Sequence, residues 1–172
     1  KGLCYWLKCY EIPEGNKDSK GRAIQNMLNI DPDDQIQSVL RLRGLNDEEF
    51  VNNHYVAFCT KSGIVKKTCL KQYSRPRSNG LIAINLMEGD SLVDVRLTNG
   101  RNELIIASRK GRAVRFDEND VRTIGRDAIG VRGIRLADEN DEAVGMIVVN
   151  NPLEESVLVV SEKGYGKRTP ID

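Results

Sequence analysis

The residues best suited to chemistry in this chain are cations that follow glycine at a recurring phase. Lys66 and Lys67 stand three and four residues past Gly63, Arg115 stands four past Gly111, and Lys167 and Arg168 stand three and four past Gly164. Arg112 directly follows Gly111. Beyond these come Lys71, Arg75 and Arg77 around the loop YSRPRSNG, Arg122 and Arg126 in VRTIGRD, and Arg132 at the start of an apolar run. Guanidinium and ammonium groups spaced along loops are suited to phosphate oxygens, and arginine binds them through a fork of donors. Strand alternation sends neighbours to opposite faces, so only one of Lys66 and Lys67, and one of Lys167 and Arg168, need face such a ligand. For Arg132 and Arg135 the competing partners are carboxylates of the following connector.

Other chemistries lack their parts. The only histidine is His54, and no Ser-His-Asp set, Cys-His pair or Walker loop is present. Cys4, Cys9, Cys59 and Cys69 form no CxxC pair, so a zinc site is not indicated. They read as small buried hydrophobes in a reducing cytoplasm. The acidic clusters at Asp31–Asp34, Asp47–Glu49 and Asp138–Glu142 lack the EF-hand spacing and its glycine, and read as turns or solubilising groups. No apolar run reaches membrane-spanning length and no export signal opens the chain. Abrupt ends suggest a piece of a longer protein.

A repeat must position the cations. Gly2, Gly63, Gly111 and Gly164 each open a short run that ends in cations in three of the four cases, at steps of 61, 48 and 53 residues. Gly21, Gly80 and Gly130 open a second element (GRAIQNML, GLIAINLM, GVRGIRLA). QIQSVLRLR, SLVDVRLT and EAVGMIVV form a third, and HYVAFCT, ELIIAS and ESVLVVS a fourth that runs straight into the next glycine motif. The segments are rich in Val, Ile, Leu and Tyr and punctuated by turn residues, which predicts strands. KSG and RKG read as tight hairpins with glycine at positive φ, and DPDD, EGD and DENDE as turns between the second and third strands. Four strands in about 50 residues is the pattern of propeller blades, here an arc of about three full blades plus partial ones in a single domain over residues 1–172. Ile12, Tyr73 and Val121, ten past their glycines, are expected in the core. Trp6, standing where other motifs carry a cation, is expected in a blade contact rather than stacked on a base. Only a short helical turn near Asn46–Phe50 interrupts the all-β pattern.

The net charge of +1 hides a segregation by repeat phase. The stretches from each glycine motif to the second element (1–22, 61–80, 109–132 and 161–172) hold 21 Lys and Arg against 9 Asp and Glu; the remainder holds 5 against 16. Equivalent positions of successive blades fall on equivalent zones of a disc, so the cations form a belt. A basic belt on a curved surface fits a polyanion that bends around it with release of counterions. A propeller-type scaffold that binds an acidic protein through the same belt is the rival reading.

YEIPEGN from Tyr10, GIVKKT from Gly63, GRAVRF from Gly111, GVRGIRL from Gly130 and GYGKRTP from Gly164 resemble the C-terminal domain of the DNA gyrase A protein. The resemblance covers nearly the whole chain. It implies a β-pinwheel, a propeller relative, that wraps duplex DNA without sequence readout around a basic rim, with Lys66, Lys67, Lys71, Arg75, Arg77, Arg112, Arg115, Arg122, Arg126, Arg132, Lys167 and Arg168 as the contacts. It implies no catalysis and no cofactor in the domain itself. ATP, Mg, the catalytic tyrosine, the ATPase B subunits and a second copy of the gyrase A protein belong to the parent topoisomerase, which supercoils cytoplasmic, nucleoid-associated DNA. The family's early basic signature, a glutamine followed by arginines, glycines and a lysine, is absent from this chain.

Overall fold

The computed structural model describes residues 1–171. Its eleven strands are β1 (Leu3–Cys4), β2 (Tyr55–Thr60), β3 (Ile64–Cys69), β4 (Leu81–Ile82), β5 (Leu92–Thr98), β6 (Glu103–Ser108), β7 (Ala113–Asp117), β8 (Val131–Arg132), β9 (Ala143–Val149), β10 (Ser156–Val160) and β11 (Gly166–Pro170). One helix, α1 (Glu48–Asn53), is capped by the Asp47 carboxylate, which accepts from the Phe50 amide at 3.0 Å.

Three of the four glycine motifs turn hairpins, while the strand after Gly2 pairs with β4. The amides of Gly63, Gly111 and Gly164 donate to the carbonyls of Thr60, Ser108 and Ser161 at 2.9–3.0 Å, closing β2–β3, β6–β7 and β10–β11. At Gly63 the φ of +79° admits only glycine without strain, and a Cβ there would stand 2.8 Å from Ile134 Cγ2. A carboxylate just ahead of the third element then clamps the hairpin. Asp90 accepts from the Ser62 amide at 3.0 Å, Asp141 from the Lys110 amide at 2.9 Å, and Asp34 from the Lys1 amino group at 3.1 Å. This accounts for two of the acidic clusters. They tie the hairpin to its own unit, and no group of three or more potential metal ligands occurs among the described residues.

The sheets interlock the repeat units. In the four-stranded sheet β5-β2-β3-β8, the central hairpin joins a fourth element to the following first element. Its flanks come from the third element of that same unit and the second element of the next. β7-β6-β9 follows the same rule, as does β1 against β4. A blade therefore belongs to no single repeat.

That rule explains where the sequence expectation fails. The segments GRAIQNML and QIQSVLRLR form no strand: the first holds a 3-10 turn at Ile24–Asn26. Their partners would lie on a preceding unit, and none stands there among the described residues. Residues 36–43 nonetheless keep a strand-like alternation, with Ser38, Leu40 and Leu42 half-buried and their neighbours exposed.

Two cores result, joined by β2. Val56 and Phe58 face one with Leu70, Tyr73, Ile84 and Val95; Ala57 and Cys59 face the other with Val65, Leu104, Ile106 and Met146. Tyr73 and Val121 are core as expected, and Trp6 packs against the first cluster. Ile12 is not core, being 53% exposed in the first unit. Cys59 is buried, with its thiol pushed up to about 12 by desolvation, whereas Cys9 is exposed and departs from the expectation for the cysteines.

Candidate nucleic-acid interface

The two lysines after Gly63 are not at the surface. Lys66 is wholly buried: its ammonium donates to the carbonyls of Ala83, at 2.5 Å, and Arg126, and lies 5.2 Å from the centre of the Phe58 ring. Lys67, on the opposite face of β3, is 2% exposed and bonds the Glu118 carbonyl at 3.0 Å, Asn119 Oδ1 at 3.1 Å and the Glu118 carboxylate at 3.2 Å. Alternation did divide the pair, but β3 is the inner strand of a sheet covered on both faces. Neither ammonium is free for phosphate, which corrects the sequence assignment.

Arg115 is corrected for a related reason. It pairs with Glu103 at 2.7 Å and donates to the Ile171 carbonyl. Lys67 and Arg115 both stand four past their glycine, and each reaches the main-chain carbonyl seven past the next one, at Glu118 and Ile171. The position is a staple between consecutive units.

Two of the hairpin tips are neutralised locally. Lys61 and Arg109 pair with Glu142 at 3.6 and 3.2 Å, and Lys110 pairs with Asp138 at 2.6 Å.

The connections after the first strands differ. Lys71, Arg75, Arg77 and Arg122 are exposed, Arg126 is half-buried, and none has a carboxylate partner within ion-pair distance among the described residues. Arg126 donates to the Ile82 carbonyl at 3.1 Å, which fixes its guanidinium against the neighbouring unit. Arg132, Lys167 and Arg168 are likewise exposed, with no carboxylate partner among the described residues. Arg112 is exposed and turned onto the carbonyls of Arg135 and Leu136 at 3.3 and 3.2 Å.

These connections touch one another in order. Asn29 donates to Asn79 at 3.2 Å, joining the first connection to the second, and the Arg126 amide donates to Gln72 Oε1 at 3.1 Å, joining the second to the third. Lys17, Lys20 and Arg22, all exposed, extend the row into the first unit. They were within reach of sequence reasoning, because they occupy the same repeat phase as Arg75 and Arg77. Exposed cations in a row, outside any ion pair, are suited to a polyanion backbone.

The sequence profile of the family described as DNA gyrase C-terminal domain, beta-propeller, matches residues 1–43, 54–99, 102–150 and 155–172. The chain belongs to that family. The profile's later segments begin at the fourth elements, which open the hairpins, and the stretch it omits at 44–53 holds α1. Among relatives, the gyrase A protein of Salmonella typhimurium is 45% identical over 172 residues, and that of Staphylococcus epidermidis 44% over 171. The chain spans 19% of the length of each. A solved C-terminal domain of DNA topoisomerase IV superposes with a TM-score of 0.83 at 34% identity, over 98% of this chain and 50% of that one. A DNA gyrase A C-terminal domain superposes at 0.77 with 29% identity, over 97% and 50%. The gyrase-family fold is thus established together with the interlocked units that carry the cationic row.

Proposed function

We propose that this gyrase-family domain binds duplex DNA without sequence readout and wraps it along the row of connections at 12–29, 70–80 and 119–132. The observation that carries the reading is the contact between successive basic connections, Asn29 to Asn79 and Gln72 to Arg126, which makes the cations one surface rather than separate patches. No helix long enough to enter a groove is present among the described residues, so the contacts fall to phosphates. Arg132 closes the third connection, and Arg112, Lys167 and Arg168 lie outside the connections and supplement the row. In the parent protein, the gyrase A component of a bacterial type II topoisomerase, the bent duplex is presented for strand passage. The catalytic tyrosine, ATP and Mg are supplied by other domains and by the B subunits, and the enzyme acts on cytoplasmic, nucleoid-associated DNA.

The test is a titration with random duplexes at several salt concentrations. If six or more phosphates are engaged, affinity falls by about 10³ or more between about 50 and 200 mM salt. A flat salt dependence contradicts the reading and favours an acidic protein as the partner.

A further inference from the structure

Lys66 and Lys67 are costly as core residues. Buried ammoniums are tolerated when paired and hydrogen-bonded, and apolar side chains of similar volume often do as well for stability. Here both aim at one target. The Lys67 ammonium holds Glu118 and Asn119, and the Lys67 carbonyl accepts from the Ile124 amide at 2.9 Å, beside a parallel bridge between Lys67 and Thr123. The Lys66 ammonium holds the Arg126 carbonyl. The connection at 118–126 is therefore fastened near both ends and close to its middle, while Arg122 stands exposed between the fastenings.

The strand that grips this connection also launches another. β3 ends at Cys69, and Lys71, Arg75 and Arg77 follow at once. One rigid strand thus carries its own cations at its end and holds the next unit's cations by its side chains. We propose that Lys66 and Lys67 are positioning residues that fix the spacing between the cations of consecutive units, so that a duplex touching both must bend. This rests on the DNA-wrapping reading. Arg115, which reaches Ile171 from the position equivalent to Lys67, shows the device repeated with arginine.

The test separates bending from attachment in the whole chain. Lys67→Met removes the fastening at Glu118 and Asn119 and no exposed cation. Anisotropy with a duplex of about 30 bp is expected to show affinity within about threefold of the parent and an unchanged salt slope, while end-to-end energy transfer falls towards that of free DNA. Lys67→Arg is expected to restore the transfer. Transfer unchanged in Lys67→Met, or affinity and transfer lost in proportion, overturns the proposal. A measurement on the unaltered chain covers the case in which the variant does not fold. Without DNA, the amides of Ile124 and Arg126 should exchange at least about tenfold more slowly than those of the exposed residues 17–20. Equal exchange overturns the fastening. If the unaltered chain fails to bind duplex at all, the wrapping reading falls while the exchange result still stands.

Discussion

Asp141 lies under the hairpin tip with one carboxylate oxygen accepting from the Lys110 amide at 2.9 Å and the other from the Ala137 amide at 2.9 Å. Asp90 makes the equivalent bond to Ser62 one unit earlier. Burial alone would raise both pKa values, but the converging donors outweigh it and hold both carboxyls below the ordinary aspartate value. Asp90→Ala should destabilise the chain by about 1–3 kcal/mol in urea unfolding at pH 7, since it leaves hairpin donors unpaired. A carboxyl with a depressed folded-state pKa contributes above its unfolded value of 3.8 and loses that contribution as pH falls towards the folded one. The gap between parent and variant should therefore narrow below pH 4.

Glu118 and Lys67 form an ion pair almost wholly out of solvent. Thr98 donates to the same carboxylate at 2.7 Å and the Asn102 amide at 2.9 Å. Glu118→Ala strands an ammonium and should cost about 3–5 kcal/mol. The double variant with Lys67→Met should cost clearly less than the sum of the single changes in the same unfolding assay. Additive costs would deny the coupling.

Lys66 has its pKa lowered to about 8 by desolvation, with Arg126 also lowering it and Asp127 and Cys4 opposing. Unfolded, it keeps the ordinary value of 10.5. The folded state sheds its proton first, so stability due to this group rises from about pH 8 towards 10.5. Cys4 and Cys59, raised from 9.0 to about 11 and about 12, work in the opposite direction above pH 9. Between pH 8 and 9 the parent should gain at most about 1 kcal/mol relative to Lys66→Met.

Paired and unpaired cations should separate in binding. Arg109→Ala and Lys110→Ala remove groups already held by Glu142 and Asp138, and should leave duplex affinity within about twofold. Arg75→Ala, Arg77→Ala and Arg122→Ala should each weaken binding across all sequences and reduce the salt slope by about 1. Equal effects in both groups would place the interface elsewhere.

The repeat made much of this legible in sequence. Hairpin glycines, the polar turns before β5 and β9, and the core positions Tyr73 and Val121 follow from local patterns that recur in phase. Hidden was the exchange of strands between units, because pairing between distant segments leaves no short-range trace. Without it, residues 21–43 read as strands like their counterparts. For the same reason Lys66, Lys67 and Arg115 read as surface cations: their partners at Ala83, Glu118, Arg126 and Ile171 lie 17 to 60 residues away and are mostly main-chain carbonyls, which no residue type announces. The exposure of Arg75 and Arg77 outside ion pairs was legible because the stretch 61–80 contains no acid to neutralise them.

The most direct test of the account is energy transfer between the ends of labelled duplexes of increasing length at constant low salt. Bending a site of 20–30 bp through 40–90° costs roughly 1–6 kcal/mol, which one connection alone cannot offset. Duplexes of about 10 bp, confined to one basic connection, should bind without change in shape. At about 30 bp, spanning successive connections, the ends should approach each other, and the approach should be lost when Arg75, Arg77 and Arg122 are replaced together. Ends that stay as far apart as in free DNA at every length, despite saturated binding, would contradict wrapping.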